Sequence, residues 1–193
     1  MKIAIVKYNA GNIQSVMYAL ERLGVVPVVT DNADELIAAD RVIFPGVGEA
    51  SSAMACLQEK NLDQVIRALK QPVLGICIGL HLLCEYSEEG DTHCIGVFKR
   101  RVLKFLPEMK VPHMGWNTFE GRSSLLFKGI PEAGYAYFVH GYYAETGPET
   151  IATTDYITPF SAALHQDNFY AVQFHPEKSG DVGALILENF LKL

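Results

Sequence analysis

The first half of the chain alternates between short, uninterrupted apolar runs and longer stretches in which apolar residues recur every three or four positions. The runs predict buried strands and the periodic stretches predict amphipathic helices. Predicted strands cover residues 2–8, 25–30, 41–46 and 72–76, and the helices between them cover 12–24, 31–40, 49–60 and 62–70. Gly24 is predicted to end the first helix, whose apolar stripe consists of Ile13, Val16, Met17, Leu20 and Leu23. Apolar strands separated by helices indicate a parallel sheet with both faces covered.

The second half has a different pattern, with strand-like runs joined by turn residues. The runs cover 102–106, 114–121, 135–145, 150–156, 160–166 and 169–176, and turns are predicted at 132–134 and 167–168. A terminal helix follows, with Ser179 as a possible N-cap and Val182, Leu185, Ile186 and Phe190 as its core stripe. We predict an α/β fold: an open, mixed, mostly parallel sheet flanked by helices, with antiparallel additions in the C-terminal half, as one domain over 1–193 with one core.

Composition and charge narrow the range of functions. The chain has 193 residues, of which 49% are hydrophobic and 20% are charged, as in an average soluble globular protein. The formal net charge is −6 and basic residues are scattered, which argues against nucleic acid or an anionic membrane as a partner. The apolar N-terminal run is too short for a signal sequence or a membrane span, so a cytoplasmic location is expected. Four cysteines without a CxxC pair, Cys56, Cys77, Cys84 and Cys94, indicate reduced thiols.

One of these cysteines lies between two glycines where a predicted strand becomes a helix. The pattern Gly75-x-Cys77-x-Gly79 is the thiol version of a nucleophile elbow, a sharp turn in which only small residues fit two positions before and after the reactive atom. A thiol at the start of a helix also faces unpaired backbone N–H groups, which favour the reactive thiolate. On its own, a Gly-x-Cys-x-Gly pattern contains a structural cysteine about as often as a catalytic one.

The remaining parts of a catalytic set occur elsewhere in the chain. In the segment FHPEKS, residues 175 and 177 are predicted to project to one side, so that Glu177 orients His175 as general base and acid for Cys77. Alone, this segment is more often a surface turn. The segment PGVG at 45–48 follows a strand and offers backbone N–H groups for an oxyanion, the alternative being a plain turn. Together the three segments favour catalysis.

The order of these motifs resembles a known family. PGVG, GICIGLHLL, SEEG, VPHMGWN, YFVHGY and FHPEKS follow one another as in the triad-type (class I) glutamine amidotransferases. More narrowly, PHMGWN, PGVG and the opening YNAGNIQSV resemble the glutaminase subunits of imidazole glycerol phosphate synthases, over essentially the whole chain. The resemblance implies that Cys77 attacks the side-chain amide of glutamine, that His175 protonates the departing ammonia and activates water, and that Glu177 orients His175.

The same resemblance implies further contacts and a partner. It assigns the oxyanion and glutamine-binding loop to Gly46, Val47 and Gly48 with Ile78, the substrate's amino group to Glu89, and its carboxylate to the backbone of His140, Gly141 and Tyr142. No cofactor is implied. The ammonia would pass to a cyclase (β/α)8-barrel subunit that makes imidazole glycerol phosphate and aminoimidazole carboxamide ribotide in histidine biosynthesis. Asn12, Trp116 and Tyr137 lie in segments that resemble the family's docking face, although a buried core position is almost as plausible for Trp116.

One residue departs from the family pattern, which usually has glutamine where this chain has His81. One helical turn after Cys77, His81 is predicted to contact bound glutamine, and its titration is expected to make the Michaelis constant pH-dependent between roughly pH 6 and 8. The alternative is that His81 points away and only packs.

Three other functions remain open at this stage. Cys77, His81 and Cys84 share a helix face, with His93 and Cys94 nearby, and could hold zinc, although their spacing is not that of a usual zinc motif. An α/β-hydrolase with a cysteine nucleophile would have its acid before its histidine, whereas Glu177 follows His175. A non-catalytic binding module, or the glutaminase of a different amidotransferase, would keep the fold.

Overall fold

The first half of the molecule is a series of β-loop-α units. The computed structural model describes residues 1–9, 11–131 and 134–193. The strands of the first half are β1 (Ile3–Val6), β2 (Val28–Thr30), β3 (Arg41–Phe44) and β4 (Val73–Ile76). The helices are α1 (Ile13–Arg22), α2 (Ala33–Ile37), α3 (Ala50–Glu59), α4 (Leu62–Ala68) and α5 (Ile78–Leu83). Each of these elements was predicted from the apolar pattern, and the strands are shorter than their apolar runs.

The second half consists mainly of strands. These are β5 (Tyr86–Ser87), β6 (Thr92–His93), β7 (Arg101–Lys104), β8 (His113–Thr118), β9 (Tyr135–His140), β10 (Tyr142–Ala144), β11 (Thr150–Tyr156), β12 (Thr158–Gln166) and β13 (Phe169–Val172). Two 3₁₀ turns, Leu125–Phe127 and Pro176–Lys178, precede the terminal helix α6 (Gly180–Leu191). The pattern did not predict β5, β6 or either 3₁₀ turn, which are too short to show a period. The strand-like run predicted over 169–176 ends at Val172 in the structure. The turn expected at 132–134 falls largely outside the described residues.

The main sheet has seven strands in the order β11-β12-β13-β4-β3-β1-β2. Strands β2, β1, β3, β4 and β13 are parallel to one another, whereas β12 and β11 are added antiparallel at the β13 edge. This confirms the predicted mixed, mostly parallel sheet with antiparallel additions. Two smaller sheets, β10-β7-β5-β6 and β8-β9, lie outside it, so the single strand predicted at 135–145 is divided at Gly141 between two sheets.

The sheet separates two apolar clusters, which corrects the expectation of one core. One cluster contains Phe44, Leu57 and the apolar side chains of α5, and the other contains Ile5, Leu20 and Phe190. Strands buried on both faces cannot share one cluster, because their side chains alternate between the two sides. None of the helices in the described part of the chain is long and apolar enough to cross a membrane.

The terminal helix shows a second difference from the sequence prediction. Ser179 precedes α6 as predicted, but its side chain makes no capping hydrogen bond to the helix. Its hydroxyl instead donates to the carbonyl of His175 (2.7 Å) and accepts from the backbone N–H of Tyr137 (2.9 Å). Ser179 therefore ties β9 to the turn that carries His175, a long-range role that local sequence cannot reveal.

Candidate active site

Cys77 lies on the sharp turn between β4 and α5. Its backbone has φ 53° and ψ −106°, a conformation that non-glycine residues rarely adopt and that costs free energy. Hydrogen bonds hold the turn on both sides, because the N–H of Cys77 donates to Val172 O (2.8 Å) and the N–H of Leu80 donates to Cys77 O (2.9 Å). This is the predicted elbow.

The two flanking glycines are required by close packing. A Cβ atom on Gly79 would collide with the carbonyl oxygen of Phe44. A Cβ atom on Gly75 would lie 2.8 Å from a methyl group of Leu83 and 3.0 Å from the carbonyl carbon of Gly79. Side chains at either position would push α5 away from the sheet, which confirms the steric reason for glycine on both sides of Cys77.

The neighbouring strand brings a histidine to the same end of the sheet. Strand β13 is parallel to β4, with Val172 opposite Ile76. Parallel neighbours end at the same edge, so Cys77 and His175 both lie just beyond the carboxyl ends of adjacent strands. The N–H of His175 donates to the carbonyl of Tyr137 (2.9 Å), which fixes the histidine against β9.

His175 and Glu177 form a fully buried pair. Nδ1 of His175 lies 2.8 Å from Oε1 of Glu177, and neither side chain is exposed (0% each). The other ring nitrogen, Nε2, is buried without a hydrogen-bond partner among the described residues. Burial alone would lower the pKa of His175, but the charge of Cys77 and the charge and hydrogen bond of Glu177 raise that pKa to about 10. At neutral pH this shift favours the protonated form of the His175 imidazole, which lies between the side chains of Cys77 and Glu177.

Two groups lie close to the Cys77 sulfur besides His175. Sγ is 3.8 Å from the carbonyl oxygen of Val139 and 3.9 Å from the side-chain nitrogen of Gln173. Gln173 was not singled out from the sequence, although it directly precedes the FHPEKS segment. Its side-chain oxygen lies 2.8 Å from Nε2 of His81, so Gln173 connects His81 to the sulfur.

A small cavity opens beside Cys77. Its volume is about 190 Å³, below the roughly 300–1,000 Å³ of pockets for drug-sized ligands. The lining includes most residues of the predicted substrate site: Val47, Gly48, Cys77, Ile78, His81, Glu89, His140, Gly141 and Tyr142. Gly46, the residue before Val47, is buried and does not line the cavity, and its assigned role stays a prediction. Pro112 and Val139 also line it and were missed, although both belong to the motifs VPHMGWN and YFVHGY.

The PGVG segment borders this cavity and is held by the loop after β1. The hydroxyl of Tyr8 donates to the carbonyl of Pro45 (2.7 Å), and the N–H of Gly11 donates to the carbonyl of Val47 (3.4 Å). Val47 and Gly48 line the same cavity as Cys77.

Glu89 provides a half-buried carboxylate on the cavity wall. Its Oε2 accepts a hydrogen bond from the N–H of Ala50, the first residue of α3 (3.0 Å). Burial raises the pKa of Glu89, and the Ala50 hydrogen bond partly offsets this. A partly desolvated carboxylate of this kind can bind an ammonium group.

His81 lines the cavity but does not have the predicted titration. It is fully enclosed, and desolvation lowers its pKa to about 4, with the Gln173 hydrogen bond opposing the shift. The imidazole is therefore neutral between pH 6 and 8, so the expected His81 contribution to pH-dependent binding is wrong. Its Nδ1 atom is buried without a partner among the described residues.

The side chain of His140 forms a buried hydrogen-bonded pair with His113. His140 Nδ1 lies 2.8 Å from the carbonyl oxygen of Tyr142, and its Nε2 lies 3.0 Å from Nδ1 of His113. Because a carbonyl can only accept, His140 carries its proton on Nδ1 and His113 donates to it. This pair fixes the backbone at 140–142 along the cavity, and His113 was not identified from the sequence.

The residues predicted for partner docking separate into two places. Trp116 is 56% exposed and packs edge to face on Tyr137 across β8 and β9, with 6.0 Å between ring centroids. A buried core position for Trp116 is therefore wrong. Asn12 lies instead at the catalytic residues, where its side-chain nitrogen donates to Oε1 of Glu177.

The zinc alternative receives no support from the arrangement of these side chains. His81 is hydrogen-bonded to Gln173, and Cys84 is fully buried in an apolar cluster. Among the described residues, no three or more His, Cys, Asp or Glu side chains are grouped so that they could hold a metal ion. Cys56, Cys77, Cys84 and Cys94 are all free.

A cysteine on a strand-to-helix elbow, beside a His–Glu pair from the next parallel strand, defines a protein of the cysteine-triad hydrolase class. A family model described as glutamine amidotransferase class-I matches residues 4–193. A solved glutamine amidotransferase superposes with a TM-score of 0.79 at 18% identity, covering 100% of this chain and 98% of the other. PurLQS from Thermotoga maritima superposes with a TM-score of 0.74 at 16% identity, covering 99% and 97%. These structures show the shared fold.

Closer relatives define the family more narrowly. Imidazole glycerol phosphate synthase subunit HisH from Bacteroides fragilis is 58% identical over 196 residues, covering 100% of both chains. The protein of that name from Yersinia pseudotuberculosis is 43% identical over 196 residues, again covering 100% of both. The chain belongs to the glutamine amidotransferase class-I family and, within it, to the HisH subunits of imidazole glycerol phosphate synthase.

Proposed function

We propose that this chain hydrolyses glutamine to glutamate and ammonia through a thioester on Cys77, and that the ammonia passes to a cyclase (β/α)8-barrel subunit in histidine biosynthesis. The observation that carries the proposal is the buried His175–Glu177 pair beside the elbow cysteine. Relatives named as HisH subunits of imidazole glycerol phosphate synthase, matched over their full length, supply the reaction and the pathway. We further propose that residues 1–193 act as one glutamine amidotransferase domain in the cytoplasm.

The raised pKa of His175 supports a mechanism that starts from an ion pair. With a pKa of about 10, His175 is protonated at neutral pH. The proposed mechanism starts from the thiolate of Cys77, because the thiolate is the nucleophilic form of a cysteine. The thiolate attacks the side-chain amide carbon of glutamine, and the new C–S bond places the negative charge on the amide oxygen. The intermediate collapses when the C–N bond breaks and His175 gives its Nε2 proton to the departing nitrogen. Ammonia and a γ-glutamyl thioester result.

Hydrolysis of the thioester uses the same histidine in reverse. The imidazole, now neutral at Nε2, takes a proton from water as the water oxygen attacks the thioester carbon. The C–S bond then breaks, glutamate leaves, and the thiolate–imidazolium pair is restored. Throughout both steps Glu177 holds Nδ1 at 2.8 Å and so keeps Nε2 directed towards the sulfur and the reacting atoms.

Backbone N–H groups near Cys77 are suited to stabilise the oxyanion. The N–H of Cys77 already donates to Val172 O. In a nucleophile elbow, the residue after the nucleophile supplies an oxyanion donor, and in this chain that donor is the backbone N–H of Ile78. Val47 and Gly48 border the same cavity and supply the second donor in this proposal. Removal of one such donor from an oxyanion site commonly costs roughly 10²–10³ in kcat.

The cavity wall offers groups for the two charged ends of free glutamine. In this proposal Glu89 binds the α-ammonium group, and the backbone of His140, Gly141 and Tyr142 binds the α-carboxylate. Their position on the cavity lining supports these roles. Neutral His81 contributes its unpartnered Nδ1 as an acceptor on the same wall. The proposal requires no metal or cofactor.

The need for a partner follows from the chemistry of the product. Ammonia released into water at neutral pH is protonated and no longer nucleophilic, so a glutaminase is useful only beside an acceptor enzyme. The exposed side chains of Met114, Trp116 and Tyr135 on the small β8–β9 sheet form an apolar patch that suits protein docking. The net charge of −6 and scattered basic residues disfavour nucleic acid or a membrane in that role.

The decisive experiment is an assay of glutamate release by the chain alone, with the cyclase subunit, and with the cyclase and its nucleotide ligand. We expect slow release by the isolated chain and a marked rise when both are present, because docking completes the oxyanion site. No glutamate under any condition would refute the glutaminase. Equal turnover under all three conditions would refute the requirement for a cyclase.

A further inference from the structure

Helix α1 begins at an asparagine whose side chain does not cap it. Asparagine is favoured at a helix N-cap because its side-chain oxygen accepts a hydrogen bond from the first N–H groups. Asn12 occupies this position but makes no such bond, and its backbone has φ 73° and ψ 3° in the left-handed region. Glycine and asparagine both tolerate this backbone, so the conformation alone does not assign a role to the Asn12 amide, and its contacts outside the helix must be considered.

The side chain of Asn12 reaches the acid of the catalytic residues. Its amide nitrogen donates to Oε1 of Glu177, the oxygen that lies 2.8 Å from Nδ1 of His175. The amide nitrogen is also 3.5 Å from that ring nitrogen. Oε2 of Glu177 is buried and has no hydrogen-bond partner among the described residues. Among the described residues, the carboxylate therefore has hydrogen bonds only with Asn12 and His175.

These contacts control the direction of the imidazole. Glu177 lies on a short 3₁₀ turn, and no described residue forms a hydrogen bond that would hold its Oε2 atom. A donor fixed at the start of α1 holds Oε1 in place. With Oε1 fixed, Nδ1 of His175 is fixed, and Nε2 stays directed towards Cys77.

We propose that Asn12 is a positioning residue for the Cys77, His175 and Glu177 triad, acting through a hydrogen bond that locks the Glu177 carboxylate. The inference rests on the proposed glutaminase activity. It also gives the loop after β1 a direct connection to the triad, because the residue that starts α1 is the residue that holds the acid.

The chain contains a matched control for the conformational role of this asparagine. Asn61 begins helix α4, has φ 54° in the same left-handed region, and likewise makes no side-chain capping bond. It is exposed and is not bonded to any triad residue in the described structure. Replacement of Asn61 reproduces the effect of losing a left-handed asparagine N-cap without touching the site.

The test compares Asn12→Gly and Asn12→Ala with Asn61→Gly and Asn61→Ala, each assembled with the cyclase subunit and its nucleotide ligand. A hydrogen bond to a charged group is worth enough to change a rate roughly 10- to 100-fold. We expect both Asn12 variants to lose that much in glutaminase kcat with the Michaelis constant for glutamine within about two-fold of wild type. The Asn61 variants should match wild type, and ammonia-dependent synthesis should be unchanged in all four.

The two Asn12 variants distinguish the amide from the backbone. A purely conformational role predicts that Asn12→Gly is at least as active as wild type and that only Asn12→Ala loses activity, because glycine tolerates the left-handed region and alanine does not. That result would overturn the proposal, as would a raised Michaelis constant with unchanged kcat. Should Asn12→Ala fold poorly, circular dichroism identifies it and Asn12→Gly decides alone, because only the glycine variant separates the amide from the backbone. An inactive wild-type complex would instead refute the proposed glutaminase.

Discussion

The imidazole Nε2 of His81 lies 2.8 Å from the side-chain oxygen of Gln173, inside a region closed to solvent. The amide oxygen can only accept, so Nε2 carries the proton of a neutral ring and the amide nitrogen of Gln173 is turned towards the Cys77 sulfur, 3.9 Å away. His81 therefore reaches Cys77 through Gln173, and its hydrogen bond sets the orientation of the Gln173 side-chain amide.

This pair makes His81 a determinant of acid stability. Desolvation lowers the pKa of His81 to about 4, so between pH 6.5 and 4 the unfolded chain binds a proton that the folded chain does not. Stability should therefore fall as the pH decreases through this window. For wild type relative to His81→Gln, we expect an extra loss of about 2–3 kcal/mol in the free energy of unfolding between pH 7 and 4.5. Urea unfolding at both pH values measures it.

The same variant checks substrate binding. Because His81 does not titrate between pH 6 and 8, the pH profiles of the Michaelis constant for glutamine should have the same shape in wild type and His81→Gln, whatever their absolute values. His113, whose pKa burial lowers to about 4, is present in both proteins, so its effect cancels in the comparison. A component near pH 6.5 in wild type that disappears in His81→Gln would contradict the assigned neutral state.

Cys77 should be needed for ammonia production and for nothing else. We expect Cys77→Ala to abolish glutamine hydrolysis while the assembled complex still makes its products from added ammonia, because the thiolate acts only on glutamine. Product formation from glutamine and from ammonium salt measures the two activities separately. Cys94→Ala is the control, since Cys94 is a free, half-buried thiol outside the triad. Residual hydrolysis by Cys77→Ala would point to a different nucleophile.

Local patterns were enough to predict the elements that position the triad. The apolar runs gave β1–β4, the steric demand of the elbow gave Gly75, Cys77 and Gly79, and the FHPEKS segment gave His175 and Glu177. The features that could not be predicted depend on contacts between residues far apart in the sequence. Asn12 and Glu177 are 165 positions apart, and His81 and Gln173 are 92 apart, so no local period connects them. The division of 135–145 into two strands likewise depends on which sheets lie nearby.

The elbow itself can be tested by a single methyl group. Gly79→Ala would place a Cβ atom against the carbonyl of Phe44, a backbone atom that cannot rotate away. We expect a loss of about 3 kcal/mol or more in the free energy of unfolding, at the upper end for overpacked sites, with glutaminase activity lost as Cys77 moves. Chemical denaturation and the glutamate assay measure the two effects.

Gly24→Ala provides the contrast for this measurement. Gly24 has φ 77° and no atom within 4 Å of the position of a Cβ atom. Alanine there should therefore lower the free energy of unfolding only by the cost of a left-handed backbone, about 1–2 kcal/mol. Activity should persist in Gly24→Ala. Equal destabilisation of the two variants would show that α5 can shift to accept a side chain, and the steric account of the elbow would then be wrong.

Trp116 provides the clearest test of the docking surface. Its ring is 56% exposed and rests edge to face on Tyr137, whose backbone carbonyl accepts the N–H of His175. A large exposed aromatic beside Met114 and Tyr135 has the character of an interface anchor, and truncation of such an anchor commonly costs 2 kcal/mol or more, which is roughly 30-fold in affinity.

We expect Trp116→Ala to weaken binding of the cyclase subunit by about that factor in calorimetric titration. The thermal stability and the basal glutamate release of the isolated chain should stay close to wild type, because Trp116 is more than half exposed in the free chain and lies outside the cavity. Val26→Ala, at an 83% exposed position on the β2 side of the molecule, controls for loss of any exposed apolar side chain. Undiminished affinity in Trp116→Ala would move the docking surface away from the β8–β9 sheet.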